Sequence, residues 1–134
     1  MDLIACEIDT ENYTVKIASA MRPVILYQNG EQIYVQGSTS SIGGDEMMGE
    51  IKDFVDQVYQ LSKGDIIYMF SDGYPDQFGG PMGKKFKLVR LRNLLKDIHQ
   101  LPMEEQYHHV KNTFNLWRDQ IEQIDDVLFM GIRI

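Results

Sequence analysis

Lys63-Gly64-Asp65-Ile66-Ile67-Tyr68-Met69-Phe70-Ser71-Asp72-Gly73-Tyr74 sets an unbroken apolar run between a Gly-Asp turn and an acidic Ser-Asp-Gly. A strand with one wet face alternates apolar and polar residues, so an unbroken run of this length predicts a strand covered on both faces. A carboxylate where such a strand stops is costly to desolvate. Asp72 therefore needs backbone donors, a cation or a metal ion. Val127 to Ile134 reads as another core strand, and there the acidic pair Asp125-Asp126 comes first. If the two runs are antiparallel neighbours in one sheet, Asp72 and Asp125 emerge at the same edge. Converging carboxylates repel one another, and a divalent cation is the usual compensation. Hard oxygen ligands select magnesium, manganese or calcium over zinc. The structural alternative for the same residues is a plain Asp-Gly turn and an acidic strand cap.

Upstream, Leu3 to Asp9 and Tyr13 to Ser19 read as two strands joined by a short polar turn. Val24 to Gln28 and Gln32 to Gln36 flank Asn29-Gly30-Glu31, and Asn-Gly supplies the positive φ angles that a tight hairpin requires. Met21-Arg22-Pro23 lies between the two hairpins, where Arg22 binds either a phosphate or merely a carboxylate. Ser38 to Gly49 is a loop by composition. Ile51 to Leu61 fits a helical stripe through Ile51, Phe54, Val55, Val58 and Leu61 as well as it fits strand alternation.

Downstream, Tyr74 to Gly83 holds Pro75, Gly79, Gly80, Pro81 and Gly83 and reads as a loop with several hinges, a candidate mobile flap. Leu88, Leu91, Leu94, Leu95 and Ile98 give an amphipathic helix to about His99. A second helix opens at Pro102, with Glu104 and Glu105 near the positive end of its dipole and an apolar face of Met103, Tyr107, Val110, Phe114 and Trp117. Adjacent His108 and His109 point about 100° apart on a helix and suit a solvated face better than a zinc site. Lys84, Lys85, Lys87, Arg90, Arg92 and Lys96 gather six of the 13 basic residues. Such a run is usually a solvated face, but following a flap it could attract a phosphorylated ligand.

The 134 residues suit one domain, and 43% apolar with 25% charged residues gives it a core. A net charge of −7 argues against nucleic acid as a partner. The lone Cys6 cannot form an internal disulfide, which fits a reducing compartment. No apolar run approaches the roughly 20 residues of a membrane span, so a soluble, cytoplasmic protein is expected.

Taken in order, Lys63-Gly64-Asp65, the apolar strand, Ser71-Asp72-Gly73-Tyr74, Gln77-Phe78-Gly79-Gly80 and Gln123-Ile124-Asp125-Asp126-Val127 resemble the C-terminal part of a SpoIIE-like serine/threonine phosphatase of the metal-dependent PPM superfamily. The resemblance spans nearly the whole chain, with Ile42-Gly43-Gly44 where the family has a Pro-Ile-Gly turn. It selects strand for Phe54 to Leu61. It implies an α+β fold of mainly antiparallel strands, part of a layered β-sandwich with two amphipathic helices. It also implies that Asp72 and Asp125 bind a dinuclear manganese or magnesium centre, with Gly73 a close-approach position and Asp126 an acidic neighbour. A metal-bridging water or hydroxide would attack the phosphoester, with no covalent phosphoenzyme. Asp76 would be the further acidic neighbour to test.

The family's Asp-Gly-His/Met-Gly motif, which supplies the carboxylates bridging both metals, is absent, and Met1-Asp2-Leu3 falls inside a strand of the complete domain. Residues 1–134 are therefore expected to be a single partial domain, inactive alone and drawn from the C-terminal region of a larger, sensor-type protein. The expected substrate is a phosphorylated signalling protein such as an anti-sigma-factor antagonist. The uncovered sheet edge predicts self-association. A non-catalytic interaction module and a single-site metal-binding domain are the competing readings.

Overall fold

The computed structural model describes residues 1–43 and 54–134. Gly44 of the Ile42-Gly43-Gly44 turn and Ile51 of the ambiguous segment lie outside the described residues. The chain divides into two compact units, residues 1–69 with 132–134, and residues 70–131.

The first unit is built from antiparallel strands β1 (Leu3–Asp9), β2 (Thr14–Ala20), β3 (Val24–Gln28), β4 (Glu31–Val35), β5 (Gln57–Gln60) and β6 (Ile66–Phe70), the last ending one residue into the second unit. One sheet has the order β1-β2-β5, and the other runs β4-β3-β6. Val15 and Ile17 from the first sheet meet Val24, Leu26, Val35 and Ile67 from the second in one buried cluster, closed by Leu61. That is a sandwich core, with alternate residues of each strand inside. Cys6 packs against it with Sγ 3.4 Å from Met69 Sδ, and burial pushes its thiol above the ordinary range, as for a small buried hydrophobe.

Local chemistry sets the turns. Gln28 pairs with Glu31, leaving only Asn29 and Gly30 between the strands, and both have positive φ, 51° and 81°. That is the twist-matched hairpin the Asn-Gly pair predicts. Asp9 closes the first hairpin by accepting the backbone N–H groups of Glu11 and Asn12, each at 2.9 Å. Phe54 to Leu61 resolves as the strand β5, shorter than expected, pairing Val15 with Tyr59. Asp65, 5% exposed, is an anchor: its two carboxylate oxygens accept Asn29 N at 2.8 Å and Ser62 N at 2.7 Å. The Gly-Asp turn thus fixes where β6 begins. Gly64 N and Ile134 N donate to Ile134 O and Asp65 O, so residues 132–134 run alongside this turn.

In the second unit, the end of β6 leads through α1 (Gly73–Asp76) to a two-stranded hairpin, β7 (Phe78–Gly79) and β8 (Lys84–Lys85). Helices α2 (Leu88–Ile98) and α3 (Met103–Arg118) follow, and the unit ends in the start of β9 (Phe129–Arg133). Leu91, Leu95 and Ile98 of α2 and Val110 and Phe114 of α3 are buried, as the helical stripes predict. Tyr107 is not; it is 57% exposed, and Gln106 occupies the buried position in its place. Gln106 Nε2 donates to His99 O at 2.9 Å and Leu101 O at 2.8 Å, satisfying carbonyls at the end of α2 that the helix leaves open. His108 and His109 lie on the exposed face.

The segment from Tyr74 to Gly83 is not a loop. Tyr74 is 1% exposed, its ring packs 5.0 Å from Phe114 and 5.3 Å from Phe86, and its hydroxyl donates to Val110 O at 2.8 Å. Gly79 and Gly80 are there because Trp117 leaves no room. A Cβ on Gly79 would sit 1.8 Å from Trp117 O and one on Gly80 2.6 Å from its ring, while Gly80 N donates to Trp117 O at 2.8 Å. Gly79 and Gly80 thus permit close packing, while Gly83 serves the turn of the hairpin with φ 57°.

Candidate functional site

The Ser-Asp-Gly and Asp-Asp motifs meet in the second unit. Ser71 N donates to Leu128 O at 3.0 Å and Phe70 stacks on Phe129 at 6.0 Å, so the end of β6 lies beside the approach to β9. The Ser71 hydroxyl is the clasp: Oγ donates to Asp126 O at 2.7 Å and accepts Leu128 N at 2.9 Å. Gly73 completes the junction, because a Cβ there would stand 2.3 Å from Asp126 O and 3.2 Å from Val127 Cγ2. Only a glycine lets the Asp125-Asp126 backbone come so near.

Asp72 is the N-cap of α1, with helical backbone angles and no side-chain capping bond. Asp125 and Asp126 are exposed, and one Asp125 oxygen accepts Asp126 N at 2.7 Å. Asp76 pairs with Lys85 Nζ at 2.9 Å on the surface. Arg22, in the first unit, carries an ion pair with Asp2 at 2.9 Å, the carboxylate alternative of its sequence reading. Among the described residues no group of three or more His, Cys, Asp or Glu is placed to hold a metal ion. The carboxylates suit a hard cation by donor type, but their number is too small for a complete site.

Two residues have positioning roles that the sequence does not announce. Gln77 is fully buried, and its Nε2 donates to Glu122 O and Phe78 O, each at 3.0 Å, tying the segment before Asp125 to the hairpin. Trp117 Nε1 donates to Gln77 O at 3.1 Å. The bonds from Gln77 to Glu122 O and from Trp117 to Gln77 O join residues 45 and 40 positions apart, so only the fold makes them visible.

The family described as Stage II sporulation protein E (SpoIIE) matches residues 1–134. The chain belongs to the SpoIIE family. Among solved structures it resembles the SiaA-PP2C domain of Pseudomonas aeruginosa, with 23% identity and a TM-score of 0.82 over 95% of this chain and 49% of that one. It also resembles the PP2C phosphatase domain with a regulatory fragment of the cell fate determinant SpoIIE from Bacillus subtilis, with 20% identity and a TM-score of 0.75 over 99% of this chain and 37% of that one. RsbX in complex with magnesium is a more distant likeness, with 14% identity and a TM-score of 0.55 over 92% of this chain and 51% of that one. The SpoIIE-family chain thus has the PP2C-type α+β fold and spans about half or less of the first solved chains it matches. No curated protein matches it.

Proposed function

We propose that this chain is the C-terminal part of a metal-dependent serine/threonine protein phosphatase domain, acting on phosphoserine or phosphothreonine of a cytoplasmic signalling protein such as an anti-sigma-factor antagonist. The observation that carries this is the junction of the two acidic motifs, clasped by the Ser71 hydroxyl and allowed by the missing side chain of Gly73. In this reading Asp72 and Asp125 turn their carboxylates to a common manganese or magnesium centre, with Asp126 as an acidic neighbour. Bound there, the metal pair would supply Lewis-acid activation of water and of the phosphoester.

This chain's own part is positional. Ser71, Gly73 and Gln77 hold the two aspartates on separate segments at one place, which a metal site needs before the metal arrives. The further carboxylates have to come from a motif of the Asp-Gly-His/Met-Gly type that residues 1–134 do not contain. Alone, the chain is then a poor catalyst. The small ligand count equally favours a non-catalytic interaction module.

In a protein that carries both halves, Asp72→Asn and Asp125→Asn each reduce manganese-dependent hydrolysis of p-nitrophenyl phosphate by orders of magnitude without lowering the melting temperature. His108→Ala changes little. Full activity in both Asn variants would remove these aspartates from the chemistry.

A further inference from the structure

We propose that the β7–β8 hairpin and the start of α2 form a fixed basic platform that binds an acidic segment of a partner protein. Residues 77–96 contain no Asp or Glu; Lys84, Lys85, Lys87, Arg90 and Arg92 lie on the hairpin and the start of α2, and Lys96 in the last turn of that helix. The remainder of the chain has seven basic residues against twenty acidic ones, so this stretch carries a net positive charge in an otherwise acidic chain.

The platform is built, not merely composed. Phe86 packs edge-on against Trp117 at 5.3 Å, Phe86 N donates to Gln77 O at 2.9 Å, and Lys87 N donates to Pro75 O at 2.7 Å. With Gly79 and Gly80 pressed onto Trp117, the hairpin has little freedom to lose on binding, which favours affinity. Arg90 is held 4.7 Å over the Trp117 ring, and Lys85 lies between Asp76 and the Phe78 ring. Lys84 and Lys87 are exposed and outside the ion pairs found among the described residues. Phe78 at 38% and Met82 at 73% exposure add apolar contact surface in the same hairpin.

Two features select the occupant. Surface charges act over a Debye length of about 8 Å at physiological salt, so a short acidic peptide feels the platform alone. A duplex or an anionic membrane presents charge over a longer span and is opposed by the net charge of −7 of the whole chain. The exposed aromatic and thioether side chains suit a polypeptide better than a bare phosphate chain. Asp76 N donates to Asp72 O within α1, so the platform begins one helical turn from Asp72. On the phosphatase reading, on which this last step rests, it would hold acidic residues flanking the phosphorylated one.

The test needs no catalysis. A fluorescein-labelled peptide with a run of Glu and Asp and no phosphate is titrated with the 134-residue chain in EDTA, beside its Gln/Asn counterpart. The acidic peptide is expected to bind roughly tenfold tighter at low salt, an advantage that falls steeply with added salt. Lys84→Glu with Lys87→Glu should remove roughly that factor, and the milder Lys84→Gln with Lys87→Gln part of it, with melting temperatures unchanged. Equal affinity for the two peptides, parental affinity in both double variants, or tighter binding of a single-stranded RNA of equal charge overturns the proposal. None of these results touches the phosphatase reading, and loss of turnover in Asp72→Asn leaves peptide binding as it was.

Discussion

Replacing Gly73 by Ala tests the junction because two effects of known sign oppose each other there. Gly73 opens α1 and its φ is not positive, so Ala is allowed by the backbone and by helix propensity would stabilise the protein by about 0.5–1 kcal/mol. The new methyl, however, would lie 2.3 Å from Asp126 O. An ordinary C···O contact is about 3.3–3.6 Å, so the Asp125-Asp126 backbone has to withdraw by about 1 Å. The bond from Ser71 Oγ to Asp126 O, now 2.7 Å, then passes beyond hydrogen-bonding range. Losing it costs about 1 kcal/mol, and overpacking about 1–3 kcal/mol more, for a net destabilisation of about 1–3.5 kcal/mol after the helix gain. With an unfolding entropy of about 2.1 cal/mol/K per residue over 134 residues, the melting temperature should fall by about 4–12 °C. Differential scanning calorimetry reads this directly. An unchanged or raised melting temperature would show that the close approach of Gly73 to Asp126 does not exist in solution.

Burial pushes the phenols of Tyr74 and Tyr68 well above their ordinary range. Their contribution to stability is therefore complete below the unfolded value near 10 and is lost as pH rises above it, so the melting temperature should fall in that alkaline window. Tyr74→Phe should cost about 1–2 kcal/mol at pH 7, because Val110 O loses its donor, yet flatten the alkaline decline; an undiminished decline would point to other groups. Among the described residues β1 and β4 are outermost in their sheets, and unpaired edges recruit other chains, so the isolated chain should sediment as a dimer or larger at high micromolar concentration; a clean monomer would count against it.

What the sequence made legible follows the range of the forces involved. The Asn29-Gly30 hairpin, the β6 run and the helical stripes are local patterns, and each appears where its residues place it. The meeting of Ser71-Asp72-Gly73 with Asp125-Asp126 was legible only through the supposition that two apolar strands are neighbours. The segment from Tyr74 to Gly83 misled because glycine has two uses: freedom to bend, and absence of a side chain where another element presses close. Nothing near Gly79 announces Trp117, so composition alone suggested a flap. Tyr107 and Gln106 illustrate the same limit, since the carbonyls that draw Gln106 inward belong to the preceding turn.

In the function proposed above, residues 1–134 hold half of a metal-dependent phosphatase site and need the rest. Manganese-dependent hydrolysis of p-nitrophenyl phosphate, by this chain alone and by the same chain joined to a segment carrying the Asp-Gly-His/Met-Gly motif, tests this. A single metal held by two carboxylates cannot clamp both the attacking and leaving oxygens, so turnover should be near background alone and rise by orders of magnitude in the joined protein. Robust manganese-dependent turnover by the 134 residues alone, persisting in Asp72→Asn, would contradict the account.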